Sequence, residues 1–326
     1  MALKKRLSKS NIDKHNPNSH QPDIMILPRY DEDGRHHIAL VQPGSWGDNI
    51  ISTLMFKPLA AKYPNLMLDV YTSTLYGNAF RNNPYVNNIY EFEAHSKNTA
   101  LHLLHTIPKH LEDRGYHHIF RPHPMLNPDK WTSTKYGHFG DHFMCAWMRA
   151  LEDYNVPYGP ELETIMVLEN KEVWKVNGFL SSIELGSKTY NLMEVGAESG
   201  QTFSDHNWMI AIAGVVCGKG EALFVSSREC GPAIEQIIRK YPGLCFHVGC
   251  LSIRESAELF NRCKRFFSIS SGLSNACNTS WCKKDIEWYE VVNSPAINSA
   301  PIRKEGKTFW YENDLGKFIQ MLRTKV

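Results

Sequence analysis

The sequence has no long apolar run, little net charge and no Cys-x-x-Cys pair, and each absence argues against a class of protein. Its longest candidate apolar stretch, WMIAIAGVVC from Trp208, has ten residues, about half the length that a membrane-spanning helix needs. The formal net charge of +2 creates no field over the whole molecule that would attract nucleic acid or anionic lipid. The eight cysteines suit neither a zinc knuckle nor a redox motif, and they indicate buried free thiols in a reducing compartment. We therefore expect a soluble, cytoplasmic protein.

Residues 1–35 differ from the rest of the chain in being polar and basic, which is typical of a flexible arm. No apolar stretch follows the charges, so a secretory signal is not indicated. Two interpretations remain open. The arm is either a solvated tail or a peripheral contact with anionic membrane, worth about 1 kcal/mol per basic residue near the surface. Its basic side chains include Lys4, Lys5, Arg6, Lys9 and Lys14.

From His36 onward, short apolar runs alternate with longer helical patterns in two successive blocks. In the first block, HHIALVQ, LMLDVYTS, NNIYEF and HHIFRP predict strands, while NIISTLMFKPLAAKY and NTALHLLHTIPKHLEDRG predict helices. YNVPYGPELE then interrupts the pattern with two prolines and a glycine. The second block repeats the alternation from TYNLMEVG to RFFSIS, and ENDLGKFIQMLRT predicts a closing helix.

This order predicts an α/β protein with two doubly wound parallel sheets in series. The length of 326 residues fits two domains of about 100–200 residues each. In such sheets ligands bind beyond the carboxyl ends of the strands, so the loops that follow strands are the ones to inspect. The predicted segments are a basic arm at 1–35, an N-terminal acceptor-side domain at 36–165, a C-terminal nucleotide-sugar domain at 166–305 and a closing helix at 306–326.

The first strand is followed by the loop PGSWGD, which leads into the first helix. Its glycines, Gly44 and Gly47, allow a ligand to approach the backbone closely, and the helix start offers unpaired N–H groups. With Ser45 they form a predicted acceptor loop. Two roles are open for Asp48, a helix cap or a carboxylate facing a bound ligand. The loop lacks G-x-x-x-x-G-K-[ST] and G-x-G-x-x-G, so it is neither a P-loop nor a dinucleotide fingerprint.

Three loops of the second block carry candidate donor-binding groups. Hydroxyls, backbone N–H groups and a cation can stabilise a departing diphosphate without a metal. The alternative for SSGLSN is an ordinary polar turn with a serine N-cap, and the alternative for Arg228 is a pair with a surface carboxylate. The candidates are Ser199, Thr202, His206, Ser226, Arg228, Ser270, Ser271, Gly272, Ser274 and Asn275.

No metal or other cofactor is expected. A metal-dependent transferase often carries Asp-x-Asp after a strand, which supplies oxygen ligands for a divalent cation. YDEDG contains Asp31 and Asp33, but it lies in the polar segment before the first strand. The histidines are scattered and lack the ligand spacing of a zinc site.

Three segments in a consistent order carry a family resemblance. The first, from GSWGD to NPYV, has Gly-Asp at the head of a helix, a proline within it, YP at its end and then an LDV strand. The second is GAESGQTFSDHNW and the third is LSIRESAELFNRCKRFFSISSGLSNACN. Together they resemble the ADP-heptose:lipopolysaccharide heptosyltransferases, glycosyltransferase family 9, over residues 38–300.

The resemblance implies a GT-B architecture, with two Rossmann-like domains facing across a cleft. It assigns the acceptor to the N-terminal domain and the sugar nucleotide to the C-terminal domain. It also aligns Asp48 with the family's proposed catalytic aspartate. A carboxylate within about 2.6–3.2 Å of an acceptor hydroxyl can take its proton as a general base.

The chain departs from the family pattern at the donor loops. Ser270 and Ser271 stand where the family has Asp followed by Ser or Thr, and Asn275 stands where it has His. His206 replaces a lysine. Because a histidine is only partly charged near neutral pH, a phosphate contact through His206 would depend on pH. These departures bear on the identity of the donor more than on the fold.

The sequence therefore predicts a metal-independent, inverting glycosyltransferase that uses a nucleotide-diphosphate sugar. The expected acceptor is a glycan or glycolipid of lipopolysaccharide, O-antigen or capsule type. Three alternatives remain. They are a transferase acting on a protein or nucleic-acid acceptor guided by the basic arm, a non-catalytic sugar-nucleotide-binding protein, and a sugar-nucleotide epimerase of the same architecture.

Overall fold

The structure is a computed structural model that describes residues 34–123, 126, 145–159, 162–196, 206–292 and 307–325. These residues form two compact units. The first contains the described residues up to Val167, and the second contains those from Leu168 onward. Of the predicted basic arm, only Gly34 and Arg35 are described, so its role stays a prediction.

The first unit is a parallel four-stranded sheet in the order β3-β2-β1-β4 with helices packed on it. β2 and β3 lie in succession on one side of β1, and β4 lies on the other side. The strand order therefore reverses between β1 and β4. The elements are β1 (His36–Val41), α1 (Trp46–Ser52), α2 (Phe56–Lys62), β2 (Leu66–Ser73), β3 (Val86–Phe92), α3 (Lys97–Leu111), β4 (His118–Phe120) and α4 (Cys145–Asp153).

The single helix predicted for NIISTLMFKPLAAKY is two helices joined by the 3-10 turn Thr53–Met55. At the break, Ser52 Oγ donates to the Asn49 carbonyl at 2.7 Å and Thr53 Oγ1 donates to the Ile50 carbonyl at 2.6 Å. Such back-bonding bends helices. Pro58 has no N–H to continue the ladder from α1. Local residues therefore cause the break between the two helices, although the apolar periodicity alone does not predict it.

The second unit is a parallel six-stranded sheet in the order β10-β9-β8-β5-β6-β7. Counted from β5 as strand 1, this is the Rossmann order 3-2-1-4-5-6. The order reverses between β5 and β8. The elements are α5 (Asn170–Ser182), β5 (Tyr190–Glu194), α6 (His206–Gly218), β6 (Ala222–Ser226), α7 (Pro232–Lys240), β7 (Cys245–His247), α8 (Ile253–Phe260), β8 (Arg265–Ile269), α9 (Gly272–Cys277), β9 (Glu287–Val292), β10 (Lys307–Tyr311) and α10 (Leu315–Lys325).

Both faces of this second sheet are buried. Met193 of β5 and Phe267 of β8 pack in one cluster with α6 and α10, where the Trp208 and Phe318 rings lie 5.0 Å apart. One residue earlier in β8, Phe266 packs against Phe260 of α8 at 5.3 Å, because successive strand residues point to opposite faces. Strands buried on both faces read as mainly apolar runs, and the apolar centres of β5, β6 and β8 make these strands predictable from sequence.

Three elements of the second unit do not follow from the apolar pattern, namely α5, β9 and β10. The polar helix α5 is tied to α8 by a buried ion pair, in which Arg254 Nε lies 2.7 Å from Glu172 Oε1. Glu290 of β9 and Lys307 of β10 likewise form an ion pair with both side chains buried. Charged residues normally lie at the surface unless they are paired. The sequence alone therefore does not indicate that these four charged residues are buried.

A stack of aromatic rings surrounds His36 at the amino end of the first sheet. The His36 ring stacks on Tyr63 at 3.8 Å and on His117 at 4.4 Å. Burial lowers the pKa of His36 to about 4, with further contributions from His117, His118, Lys62 and His37. Protonation of His36 is therefore less favourable in the folded protein than in the unfolded chain.

We expect acid to destabilise the first unit through His36. Because its pKa is lower in the folded state than the ordinary 6.5, the unfolded chain binds the extra proton. Stability is therefore lost as the pH falls below about 6.5. Lowering the pH from about 7 to about 5 should reduce the free energy of unfolding of both proteins. After allowing for partial exposure, this reduction should be about 1 kcal/mol smaller in His36→Phe than in wild type. Urea denaturation at both pH values measures it.

The matched control is His105→Phe, at an exposed position of α3. That variant should keep the wild-type difference between the two pH values. Equal acid losses in wild type and His36→Phe would contradict the expectation.

Candidate functional site

The loop between β1 and α1 is held by groups from β2 and the turn that follows it. Ser73 Oγ donates to the Pro43 carbonyl at 2.5 Å, and the Gln42 amide donates to the Gly44 carbonyl at 3.0 Å. A Cβ on Gly44 would lie 2.7 Å from Cδ2 of Tyr76, so only glycine fits without a shift. Packing inside the unit therefore accounts for Gly44, and its contact with an acceptor stays a prediction.

Asp48 lies in the first turn of α1 and caps the start of that helix. The Ser45 backbone N–H and Oγ donate to Asp48 Oδ2 at 2.7 and 2.8 Å, as part of a capping box. Gly47 is buried in the same turn. The capping role is therefore confirmed. The hydrogen bonds that described residues donate to this carboxylate go to Oδ2.

A histidine that the sequence did not single out faces Asp48. His123 follows β4, and its Nε2 lies 3.5 Å from Asp48 Oδ2. The two side chains are 5% and 15% exposed. Since β1 and β4 are neighbours at the point where the strand order reverses, the two residues meet where doubly wound sheets bind ligands. The one signal for His123 was its position just after a predicted strand.

Asp48 is ionised at neutral pH despite being buried. Burial by itself raises the pKa of Asp48, but the nearby His123 imidazole and the two Ser45 donors outweigh it, so the pKa lies below its ordinary value. An ionised carboxylate can accept a hydrogen bond from a hydroxyl and then its proton. The charge state of Asp48 is the one a general base requires, and that role stays a prediction.

Glu194 occupies the corresponding point of the second sheet, where the order reverses between β5 and β8. It is the last residue of β5, lies opposite Ser226 of β6 and is 5% exposed. Its carboxyl group accepts hydrogen bonds from Ser271 Oγ and from the Leu273 N–H. Glu194 was not among the predicted site residues, although it ends the first strand of the second block.

Five predicted donor-binding residues lie together at the start of α9, but several of their polar groups are already engaged. The Ser271 N–H donates to Ser274 Oγ at 2.9 Å, and the Ser274 N–H donates to Ser271 Oγ at 3.0 Å. The Asn275 amide donates to the Ser271 carbonyl at 2.8 Å. The serine N-cap alternative is confirmed, and diphosphate binding stays a prediction. The five residues are Ser270, Ser271, Gly272, Ser274 and Asn275.

Glu194 is mostly protonated at neutral pH, because its pKa is raised to about 8. Burial and the nearby Glu290 charge raise its pKa to about 8, although the hydrogen bonds from Ser271 and Leu273 lower it in part. Glu290 is itself paired with Lys307, whose Nζ lies 4.2 Å from the centre of the Trp288 ring. At neutral pH the carboxyl group of Glu194 therefore adds little negative charge next to the predicted donor loop.

The other predicted donor residues are spread over neighbouring loops. Ser226 ends β6, and Arg228 lies exposed two residues beyond it. His206 is the first residue of α6. Ser199 and Thr202 lie outside the described residues.

Metal and membrane features can be assessed for the described part of the chain. There, no group of three or more His, Cys, Asp or Glu side chains is arranged to hold a metal ion. Asp31 and Asp33 lie outside this part. None of the helices within the described ranges is long and apolar enough to cross a bilayer.

No protein-family model matches the chain, and a search of curated proteins gives no significant match. Solved structures do match. A family 9 glycosyltransferase from Veillonella parvula DSM 2008 aligns with a TM-score of 0.65 at 12% identity, covering 88% of this chain and 89% of that chain. The E. coli ADP-heptose lipopolysaccharide heptosyltransferase II aligns with a TM-score of 0.60 at 14% identity, covering 89% and 99%. The E. coli heptosyltransferase WaaC, solved with ADP, gives 0.56 at 11% identity, covering 88% and 99%.

These likenesses establish the fold. Each unit is a parallel α/β sheet of the kind found in GT-B glycosyltransferases. The resemblance to family 9 drawn from the three sequence segments is confirmed at this level. At such low identities the fold carries no residue-level assignment with it.

Proposed function

We propose that this protein is a glycosyltransferase that moves a sugar from a nucleotide-diphosphate donor to a glycan acceptor. The observation that carries the proposal is the ionised Asp48 carboxylate at the strand-order reversal of the first sheet, where the hydrogen bonds from described residues go to Oδ2. The fold supports it, since similar chains include transferases named for ADP-heptose and one solved with ADP. In this proposal the first unit binds the acceptor and the second binds the donor.

The proposed reaction is a single displacement with inversion. The acceptor hydroxyl gives its proton to Asp48 Oδ1 while its oxygen forms a bond to the anomeric carbon of the donor sugar. The bond from that carbon to the diphosphate oxygen breaks, and the nucleoside diphosphate leaves with the bonding electrons. The proton later passes from Asp48 to solvent.

The second unit is proposed to stabilise the leaving diphosphate without a metal. Cationic Arg228, the partly charged His206 and the hydroxyls after β8 supply the compensating groups. Protonated Glu194 adds no repulsive charge beside them. Turnover should therefore persist in excess EDTA, and its complete loss with recovery on adding Mg²⁺ would contradict this part of the proposal.

A ligand screen tests the donor class. ADP-, UDP-, GDP-, CMP- and dTDP-sugars are each titrated in a thermal-shift assay, because a ligand that binds only the folded state raises its stability. The matching donor at about 100 times its Kd should add about 2.7 kcal/mol and raise Tm by about 5 °C. That donor is then assayed for transfer to bacterial lipopolysaccharide, O-antigen and capsule glycans.

A pair of matched variants sharpens the screen. Arg228→Gln should weaken the donor-induced shift, whereas Arg239→Gln, at an exposed arginine of α7 paired with Glu235, should not. If no nucleotide sugar shifts Tm and none is consumed, the proposed function is wrong.

A second candidate function is a non-catalytic sugar-nucleotide-binding protein. The observation that favours it is the internal engagement of the Ser271 and Ser274 hydroxyls and of the Asn275 amide. Such a protein would show a donor-induced Tm shift without transfer to any acceptor and without donor hydrolysis. The two assays above therefore separate the candidates.

A further inference from the structure

Two different parts of the chain contact the Asp48 carboxylate. One is Ser45, three positions earlier at the start of α1, which supplies two donors. The other is the His123 imidazole, which follows β4 and lies 3.5 Å away. All three contacts converge on Oδ2. The contact with His123 is the one that depends on the strand order, because only the pairing of β4 with β1 brings the two residues together.

We propose that His123 is a positioning residue for Asp48, holding Oδ2 so that Oδ1 is presented to the acceptor hydroxyl. This inference rests on the proposed function, in which Asp48 is the base. The contacts from Ser45 come from a single residue and satisfy a helix cap. The second contact, from a separate strand end, restricts rotation of the carboxylate about its own bond. A carboxylate oriented in this way resembles the base–orienter pairs by which active sites align proton-transfer groups.

The electrostatic surroundings of the pair are simple among the described residues. The ionisable group that faces the carboxylate is His123. The turn Gly77–Phe80, which packs against α1, presents Asn78, whose Oδ1 accepts from Trp46 Nε1 at 3.0 Å. Neither of these two side chains is charged. The nearby His123 imidazole, 3.5 Å from Oδ2, is thus the main influence that opposes the effect of burial on the pKa of Asp48.

A substrate-free measurement tests the pair directly. The full-length protein is labelled with ¹³C at aspartate carboxyl carbons, and the Asp48 resonance is identified by its loss in Asp48→Asn. The His123→Gln variant keeps a polar side chain but removes the charge, so the Asp48 titration midpoint should move upward by about half a pH unit or more, a threefold change in the proton equilibrium. The matched control is His95→Gln, an exposed histidine 3.8 Å from Glu93, which should leave that midpoint unchanged.

Wild-type protein gives a second readout that does not depend on a variant folding. If the two groups are coupled, the wild-type Asp48 resonance shows a second inflection that is absent in His123→Gln. An unmoved midpoint in His123→Gln, or a wild-type Asp48 curve without that inflection, would overturn the inference.

Kinetics then distinguishes positioning from proton transfer. With the nucleotide sugar selected by the screen, His123→Gln should lower kcat about tenfold, leave the donor KM unchanged, and shift the acid limb of the pH–rate profile in the direction of the Asp48 midpoint. If His123→Gln is as inactive as Asp48→Asn at every pH, His123 is itself the proton acceptor and the positioning role is wrong. If wild type turns over no nucleotide sugar, the proposed function fails, while the titrations still decide whether the pair exists.

Discussion

Replacing Asp48 with asparagine should lower kcat for sugar transfer by about 10² to 10⁴-fold, the range expected for loss of a general base. The amide oxygen can still accept from the Ser45 N–H and Oγ, which now donate to Oδ2. The helix cap should therefore survive while the proton acceptor is lost. Steady-state kinetics with the screened donor, together with Tm of both proteins, measures the two effects separately.

The matched control is Asp113→Asn, at an exposed aspartate of the same unit. It should retain wild-type kcat. An Asp48→Asn protein that turns over at the wild-type rate would limit Asp48 to its capping role and remove the base from the proposed mechanism. A large loss of Tm in Asp48→Asn would instead show that the cap needs the charge.

Replacing Glu194 with glutamine should make the second unit less sensitive to alkaline pH. Burial raises the pKa of Glu194 from 4.5 to about 8 in the folded state, so the folded state binds a proton that the unfolded chain has released. This contribution to stability is complete below about pH 4.5 and is lost as the pH rises towards about 8. When the pH rises from about 6 to about 9, the free energy of unfolding of wild type should fall by about 2–3 kcal/mol more than that of Glu194→Gln.

Denaturant unfolding at the two pH values measures this difference, and Glu184→Gln is the control because Glu184 is exposed in the same unit. Glutamine can accept from Ser271 Oγ and the Leu273 N–H as the neutral acid does. A Glu194→Gln protein that loses as much stability as wild type at about pH 9 would show that Glu194 is already ionised near neutrality. The predicted donor loop would then face a negative charge.

Much of the fold was predictable because its signals are local. The strand LMLDVYTS coincides with β2, Leu66–Ser73, since a buried strand needs a short apolar run and little else. The serine and proline that divide the first helix were also visible locally. By contrast, β9 was hidden because its buried Glu290 is compensated by Lys307, which is distant in sequence. The pattern of polar and apolar residues cannot show that a charged side chain forms an ion pair with a residue of another strand.

Some residues of the candidate site were likewise predictable from local sequence, and others were not. Asp48 could be singled out because its strand, loop and helix are contiguous, and its capping of the helix start was a stated alternative. His123 and Glu194 could not be assigned roles, because each acquires its partner from a residue more than seventy positions away. The hydroxyls after β8 could be recognised as polar groups at a strand end. Their engagement with one another and with Glu194 depends on how α9 meets β5.

The amino-acid sequence by itself determined the succession of strands and helices, the doubly wound α/β class and the carboxylate at the head of α1, because each depends on side chains within a few residues of one another. Only the tertiary structure decided which strand ends lie side by side. The parallel pairing of β4 with β1 and of β8 with β5 places His123 against Asp48 and Ser271 against Glu194. Those contacts set the charge of both acidic groups through burial, hydrogen bonds and neighbouring charge, and that charge decides what chemistry each can perform.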